Sequence, residues 1–328
     1  MRTVVTGGAG FIGSHLIDAL LKMGHEVIVF DNFSTGRHEN LEHFKDCIKI
    51  IDCDLSSSGD WVGNLKGVDW LFHLAALADI VPSIKQPEPY FKANVMGTFN
   101  VLQASAAAGI SRFVYAASSS CYGIPDTFPT SESADIRPQY PYALTKRVGE
   151  ELVMHWARVY KLPTISMRFF NVYGTRSRTS GTYGAVFGVF LAQKLAGQPY
   201  TVVGEGTQTR DFTYVTDVVG ALLAAASSDR AGSIYNVGSG QTVSVNRLVE
   251  LLGGEKIHIP KRPAEPDCTF ADISKIKHEL GWSPVITIEE GVLEVLKNID
   301  YWRKAPVWTP DTIAEETYEW FKYLATNE

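Results

Sequence analysis

Short runs of β-branched and apolar residues alternate with amphipathic stretches through the first half of the chain. Arg2–Thr6, Val27–Phe30, Ile48–Ile51, Trp70–His73, Arg112–Ala116 and Thr164–Phe169 have the length and near-continuous apolarity of strands buried on both faces. Between them, Phe11–Met23, Tyr90–Ala108 and Tyr142–Tyr160 read as amphipathic helices. Repeated strand–helix alternation implies right-handed crossovers, so the pattern predicts an α/β fold with a doubly wound parallel sheet. After Asn171 the alternation loosens. Gly174–Gly184 and Gly204–Thr209 read as loops, Lys261–Asp267 as a proline-rich turn region, and Ile234–Val237 can return as a further strand. Residues 1–170 are therefore expected to form one domain, and residues 171–328 a smaller α/β domain with a helical extension. That extension, Pro310–Leu324, has Asp311 or Thr312 near its cap. Ile313, Thr317, Trp320, Phe321 and Leu324 lie along one side, a face expected to pack back onto the second domain.

Composition narrows the class. The chain has 328 residues, with 30 basic against 36 acidic side chains and a net charge of −6. Phosphate neutralisation needs a concentrated basic surface, so no nucleic-acid partner is expected. No window approaches the roughly 18 apolar residues of a spanning helix, so no membrane partner is expected either. Cys47, Cys53, Cys121 and Cys268 form no CxxC pair, and the histidines show no ligand spacing. The expectation is a soluble, reduced, cytoplasmic protein without a metal.

The first strand runs straight into Gly7-Gly8-Ala9-Gly10-Phe11-Ile12-Gly13 and then a helix. Gly7 allows a tight turn, Gly10 a close backbone approach to a pyrophosphate, and Gly13 close helix–strand packing. The helix N-terminus behind them offers free N–H groups to phosphate oxygens. A second strand ends in Asp31, 18 residues after Gly13. A carboxylate there can accept from adenosine ribose hydroxyls and repels a 2′-phosphate, so NAD is expected over NADP despite the nearby Arg37.

Tyr142 and Lys146 stand four apart on a predicted helix and so share a face. A phenol with an ordinary pKa near 10 is a poor base at neutral pH. An ammonium and a nicotinamide cation alongside would favour its phenolate. Upstream, the strand at Phe113–Ala116 ends in Ser118-Ser119-Ser120-Cys121, where a parallel sheet presents its carboxyl ends to a ligand. Cys121 reads as a small packing residue.

With these motifs in order, the chain resembles the extended short-chain dehydrogenase/reductases, and within them the nucleotide-sugar 4-epimerases. Matching segments run from Thr6–Gly13 and Asp31-Asn32 through Asp54-Leu55, His73–Ala76, Asn94, Ser118–Gly123 and Tyr142–Lys146. They continue through Arg168–Asn171, Gly204–Gly206, Arg210–Phe212 and Arg262–Glu265. The resemblance implies a Rossmann-type NAD-binding domain and a smaller substrate-binding domain. It implies Tyr142 as the base, Lys146 as its tuner and ribose ligand, and Ser118, with Ser119 beside it, at the sugar 4-oxygen. By the same resemblance Asp54 and Leu55 lie by adenine, Leu74, Ala75 and Ala76 along the cofactor, and Asn94 and Phe169 near the nicotinamide. Asn171, the Ala185-Val186 backbone, Arg210, Arg262 and Glu265 would hold a nucleotide diphosphate. A homodimer through Tyr90–Ala108 and Tyr142–Tyr160 is implied in the same way.

The resemblance also sorts the chemistry. Related dehydratases carry an Asp–Glu pair where this chain has Ser119-Ser120, and uronate decarboxylases carry a glutamate at Ser120. Elimination needs an acid and a base that serine does not readily supply. Oxidation and re-reduction at C4 of the sugar, through a transient 4-keto form, is the expected reaction; a dehydratase or reductase on the same scaffold is the alternative. Thr269 falls where enzymes restricted to glucose and galactose carry tyrosine, which leaves room for an N-acetylated sugar, and Val81-Pro82-Ser83 leans the same way. A uronic acid is the rival substrate, with Arg178 a conceivable carboxylate partner.

Overall fold

The computed structural model describes residues 1–177 and 183–325. Arg178 lies outside the described residues. Seven strands form the central sheet: β1 (Arg2–Thr6), β2 (Glu26–Asp31), β3 (Ile48–Asp52), β4 (Trp70–His73), β5 (Arg112–Ser118), β6 (Thr164–Phe169) and β11 (Ser233–Val237). Their order is β3-β2-β1-β4-β5-β6-β11, and every pairing is parallel. Side-chain alternation explains why the strands read as continuously apolar. Val5, Val27 and Val29 enter one core, with Leu16, Ile17 and Leu222. Val4, Ile28 and Phe30 point into the opposite core, with Val101, Leu102 and Trp156. The inner strands are thus greasy on both faces, as a helix-covered parallel sheet requires, whereas the edge strand β3, expected to be buried on both faces, leaves Lys49 and Ile50 exposed.

The covering helices are α1 (Phe11–Lys22) and α7 (Val215–Ser227) on one face, α4 (Gly97–Ala108) and α5 (Pro141–Val159) on the other. In α1, Gly13, Leu16, Ile17 and Leu20 make the buried stripe. The segment expected as one helix from Tyr90 to Ala108 is helical throughout but changes pitch within it. A short α2 (Ile80–Lys85) and α3 (Pro87–Tyr90) lead into a π-helical turn over Phe91–Met96 before α4 begins. Inside that turn Asn94 is buried and fully bonded: its Oδ1 accepts from Leu77 N at 2.8 Å, and its Nδ2 donates to Leu77 O and Thr145 Oγ1. One extra residue per turn brings that amide to these partners.

A second lobe is built from short elements: β7 (Asn171–Tyr173) with β10 (Phe212–Tyr214), β8 (Tyr200–Val203) with β13 (Lys256–Ile259), and β9 (Thr209–Arg210) with β12 (Val243–Ser244). Helices α6 (Val186–Leu195), α8 (Val245–Leu252) and α10 (Ile288–Lys297) pack around them, while α9 (Ser274–Leu280) lies against β11. The last helix, α11 (Pro310–Leu324), has the expected bounds but is capped two to three residues before Asp311 and Thr312. Thr309 is the N-cap and closes a capping box with Thr312, because Pro310 occupies the first helical position where no N–H is needed. Ile313 and Trp320 enter the core of this lobe. Among the described residues no helix is long and apolar enough to cross a membrane.

Candidate active site

A cavity of about 690 Å³ opens at the carboxyl ends of β1, β2, β4, β5 and β6 and extends into the second lobe. Strand order reverses between β1 and β4, and the crevice at such a reversal is where open α/β sheets take ligands. Every residue expected at the cofactor and substrate sites lines this cavity except Asn94. That asparagine stands behind the wall, where its bonds to Leu77 and Thr145 fix the loop after β4 to the start of α5.

The glycine turn is shaped by steric limits. Gly7 has φ +69°, and a Cβ there would meet Ala75 N at 2.7 Å. A Cβ at Gly13 would stand 2.3 Å from Gly7 O, so the helix can follow the turn this closely only without one. No side chain caps α1, and Gly10 through Gly13 face the cavity, leaving first-turn N–H groups for an anion. Asp31 is anchored across the same turn: its carboxylate accepts from Ala9 N and from Phe33 N, both at 2.9 Å. Burial pushes the Asp31 carboxyl up, and those two N–H groups pull it back. This combination of uncapped helix, close-packed glycines and acidic strand end fits a dinucleotide.

Across the cavity, β5 delivers Ser118 and α5 delivers Tyr142 and Lys146. Ser118 Oγ lies 2.8 Å from Ser120 Oγ. Tyr142 N donates to Ser83 Oγ at 3.1 Å, and its ring lies parallel to that of Tyr140 with centroids 6.5 Å apart. Burial pushes the Tyr142 phenol up, opposed by a hydrogen bond with Ser118. Burial lowers Lys146 to about 7, opposed by the Glu150 carboxylate. The expected fall in the phenol pKa is therefore not produced by the protein's side chains alone. Desolvation dominates both groups.

In the second lobe, Glu265 bridges two guanidinium groups. Arg210 Nη2 is 3.0 Å from its Oε1, and Arg262 Nε is 2.8 Å from its Oε2. A carboxylate cannot itself bind a diphosphate; in this geometry Glu265 aims the two arginines. Thr269 Oγ1 donates to Asn171 Oδ1 at 2.7 Å and accepts from Asp211 N. Sequence reasoning missed Tyr140, Tyr183, Trp308 and Trp320, which also line the cavity. The Trp320 signal was present but identical to that of a core residue on an amphipathic helix.

The parallel sheet, the glycine turn with its acidic strand end, and the Ser118–Tyr142–Lys146 set define an NAD-dependent enzyme of the extended short-chain dehydrogenase/reductase class. The chain belongs to the NAD dependent epimerase/dehydratase family, whose model matches residues 3–238. It is 34% identical over 317 residues to a UDP-glucose 4-epimerase of Mycolicibacterium smegmatis, covering 92% of this chain and 99% of that one. It is 35% identical over 316 residues to UDP-glucuronic acid decarboxylase 1 of Xenopus tropicalis, covering 92% and 72%. Among solved structures, a UDP-N-acetylglucosamine 4-epimerase from Methanobrevibacter ruminantium, in complex with UDP-N-acetylmuramic acid, superposes with a TM-score of 0.85. The identity is 32%, with 90% of this chain and 98% of that chain covered. A UDP-glucuronic acid 4-epimerase from Bacillus cereus, with UDP-glucuronic acid and NAD, gives 0.84 at 31% identity, covering 92% and 99%.

Proposed function

We propose that the protein inverts C4 of a nucleotide-diphosphate sugar with no net redox change. The observation that carries this reading is the sharing of one cavity by the glycine turn, Tyr142 with Ser118, and the Arg210–Glu265–Arg262 set. Bound NAD supplies the acceptor, and in its reduced form the donor, for the C4 hydrogen. Tyr142, as phenolate, takes the proton of the 4-hydroxyl, and Ser118 hydrogen-bonds the same oxygen. Lys146, when charged, stabilises the phenolate and binds the nicotinamide ribose. Arg210 and Arg262 hold the diphosphate through charge-assisted bonds while the 4-keto sugar turns and offers its other face. Tyr142 then returns the proton to the 4-oxygen.

Decarboxylation is disfavoured at Ser120, whose hydroxyl is engaged with Ser118 and offers no carboxylate. The threonine at 269 is short and turned toward Asn171, which supports a pocket open to a 2-acetamido group alongside a 2-hydroxyl. The test is incubation with UDP-glucose, UDP-N-acetylglucosamine and UDP-glucuronic acid, with products resolved by NMR and reduced nicotinamide followed by absorbance. Epimer formation without steady NADH accumulation is expected, and Tyr142→Phe should keep NAD but lose about 10³-fold in turnover. Loss of carbon dioxide, net NADH, or near-normal turnover in that variant would refute the reading.

The protein is further proposed to act as a homodimer. The turn before α4, helix α5 and its C-cap Tyr160 carry exposed Phe91, Met96, Leu144, Val159 and Tyr160, an apolar surface suited to a second copy. A monomer mass in solution scattering at micromolar concentration would exclude it.

A further inference from the structure

We propose that Trp320 of the terminal helix is a positioning residue for the diphosphate-binding Arg262, so that α11 completes the substrate site. The inference rests on the proposed role of Arg262 and adds the group that holds it in place.

Arg262 sits in a segment, Lys261–Asp267, that is neither helix nor strand and whose backbone is tied to β9 only at its far end, where Thr209 N donates to Asp267 O. Pro263 and Pro266 remove two donors from it, and Ala264 adopts the left-handed region at φ +55°. An arginine on such a loop carries large rotamer freedom and binds an anion weakly unless something else fixes it. Here the guanidinium carbon lies 5.4 Å from the Tyr183 ring centroid and 5.3 Å from that of Trp320. Two rings and the Glu265 carboxylate hold the group, leaving its planar fork oriented rather than free. Trp320 also fixes the loop backbone, because its Nε1 donates to Pro263 O at 2.8 Å. The same indole lies 6.1 Å from Tyr140, the ring stacked on Tyr142. A side chain that is 3% exposed thus touches the phosphate arginine, the backbone beside it and the neighbour of the base. Its helix is held by a different contact, Glu316 to Lys85 on α2 at 2.8 Å.

The experiment measures binding of UDP and of UMP to the full-length NAD-loaded protein by calorimetry, with steady-state kinetics on the best nucleotide sugar. Trp320→Leu keeps apolar volume but removes the ring and the N–H; Trp320→Phe keeps a ring; Arg262→Ala tests the premise. Trp320→Leu should weaken UDP about tenfold and UMP much less. KM should rise with kcat nearly constant, and bound NAD should not change. Trp320→Phe should recover most of the UDP affinity. Combined with Arg262→Ala, Trp320→Leu should cost nothing further, because the residue acts through that arginine. Equal losses for UDP and UMP, a fall in kcat alone, or additivity with Arg262→Ala would overturn the proposal while leaving the epimerase reading intact. Unchanged UDP affinity in Arg262→Ala would remove the diphosphate role itself.

Discussion

The Lys146 ammonium lies 4.5 Å from the centroid of the Tyr115 ring, buried beneath the cavity floor. That ring and the Glu150 carboxylate do not offset the lost hydration, and Lys146 is lowered to about 7. A lysine that the folded state lowers is a cost to folding. Below about pH 7 both states hold the proton, and the folded state bears the whole cost. Above that, the folded state releases the proton while the unfolded chain keeps it to about 10.5, so this cost shrinks as pH rises. Lys146→Met should therefore raise the melting midpoint by roughly 5 °C at pH 6 while abolishing turnover. The gap should narrow toward pH 9, as thermal melts of NAD-free protein would show. A gap that does not vary with pH would contradict this account.

Asp31 does two things with one carboxylate. Its bonds to Ala9 N and Phe33 N tie the glycine turn to the loop after β2, and it also faces the cavity. Asp31→Ala should weaken NAD by about 10–100-fold, the range for losing charge-assisted bonds, and NADP much less. Fluorescence titrations with both nucleotides measure the ratio. An unchanged NAD/NADP preference would take Asp31 out of cofactor selection. Because burial raises this carboxyl, NAD affinity should also weaken earlier on acidification than an ordinary aspartate would give.

The sheet was legible because its inner strands are apolar on both faces and several, such as β1 and β5, lead into periodic helices. Arg2–Thr6, Trp70–His73 and Thr164–Phe169 appear with the expected bounds, and Ile234–Val237 is the body of β11. The second lobe was not legible at that level. Its strands run two to four residues, as in Thr209–Arg210 and Val243–Ser244, too short to show a period of two. They are fixed by pairing with segments far away in sequence. Site residues were legible where backbone shape demands them, as at Gly7 and Gly13, or where a strand end presents them, as at Ser118. Trp320 was not, because a ring that fills a core and a ring that braces an arginine leave the same mark on a helix. Asn94 was legible only as part of a motif; its bonds to Leu77 and Thr145 depend on the π-helical turn, which no sequence period announces.

One turn beyond Lys146, Glu150 is almost wholly buried and accepts from Arg168 Nε at 2.9 Å, Arg168 Nη2 at 2.6 Å, Ser166 Oγ at 2.9 Å and Arg147 Nη1 at 2.9 Å. Arg168 is equally buried, and its other nitrogen donates to Tyr122 Oη and Glu132 O. This network joins α5 to β6 and to the turn after β5, the three elements that set Tyr142 against Ser118. Glu150→Gln keeps the shape but leaves the Arg168 charge uncompensated, and breaking a buried pair in this way costs about 3–5 kcal/mol. Thermal or urea unfolding should show that loss, which exceeds what any exposed pair such as Lys45–Glu42 could give. The same substitution removes the carboxylate that raises Lys146, so its deprotonation should move below about 7. The pH window over which the Lys146 folding cost is relieved would then begin at a lower pH, a shift that a purely structural defect would not produce.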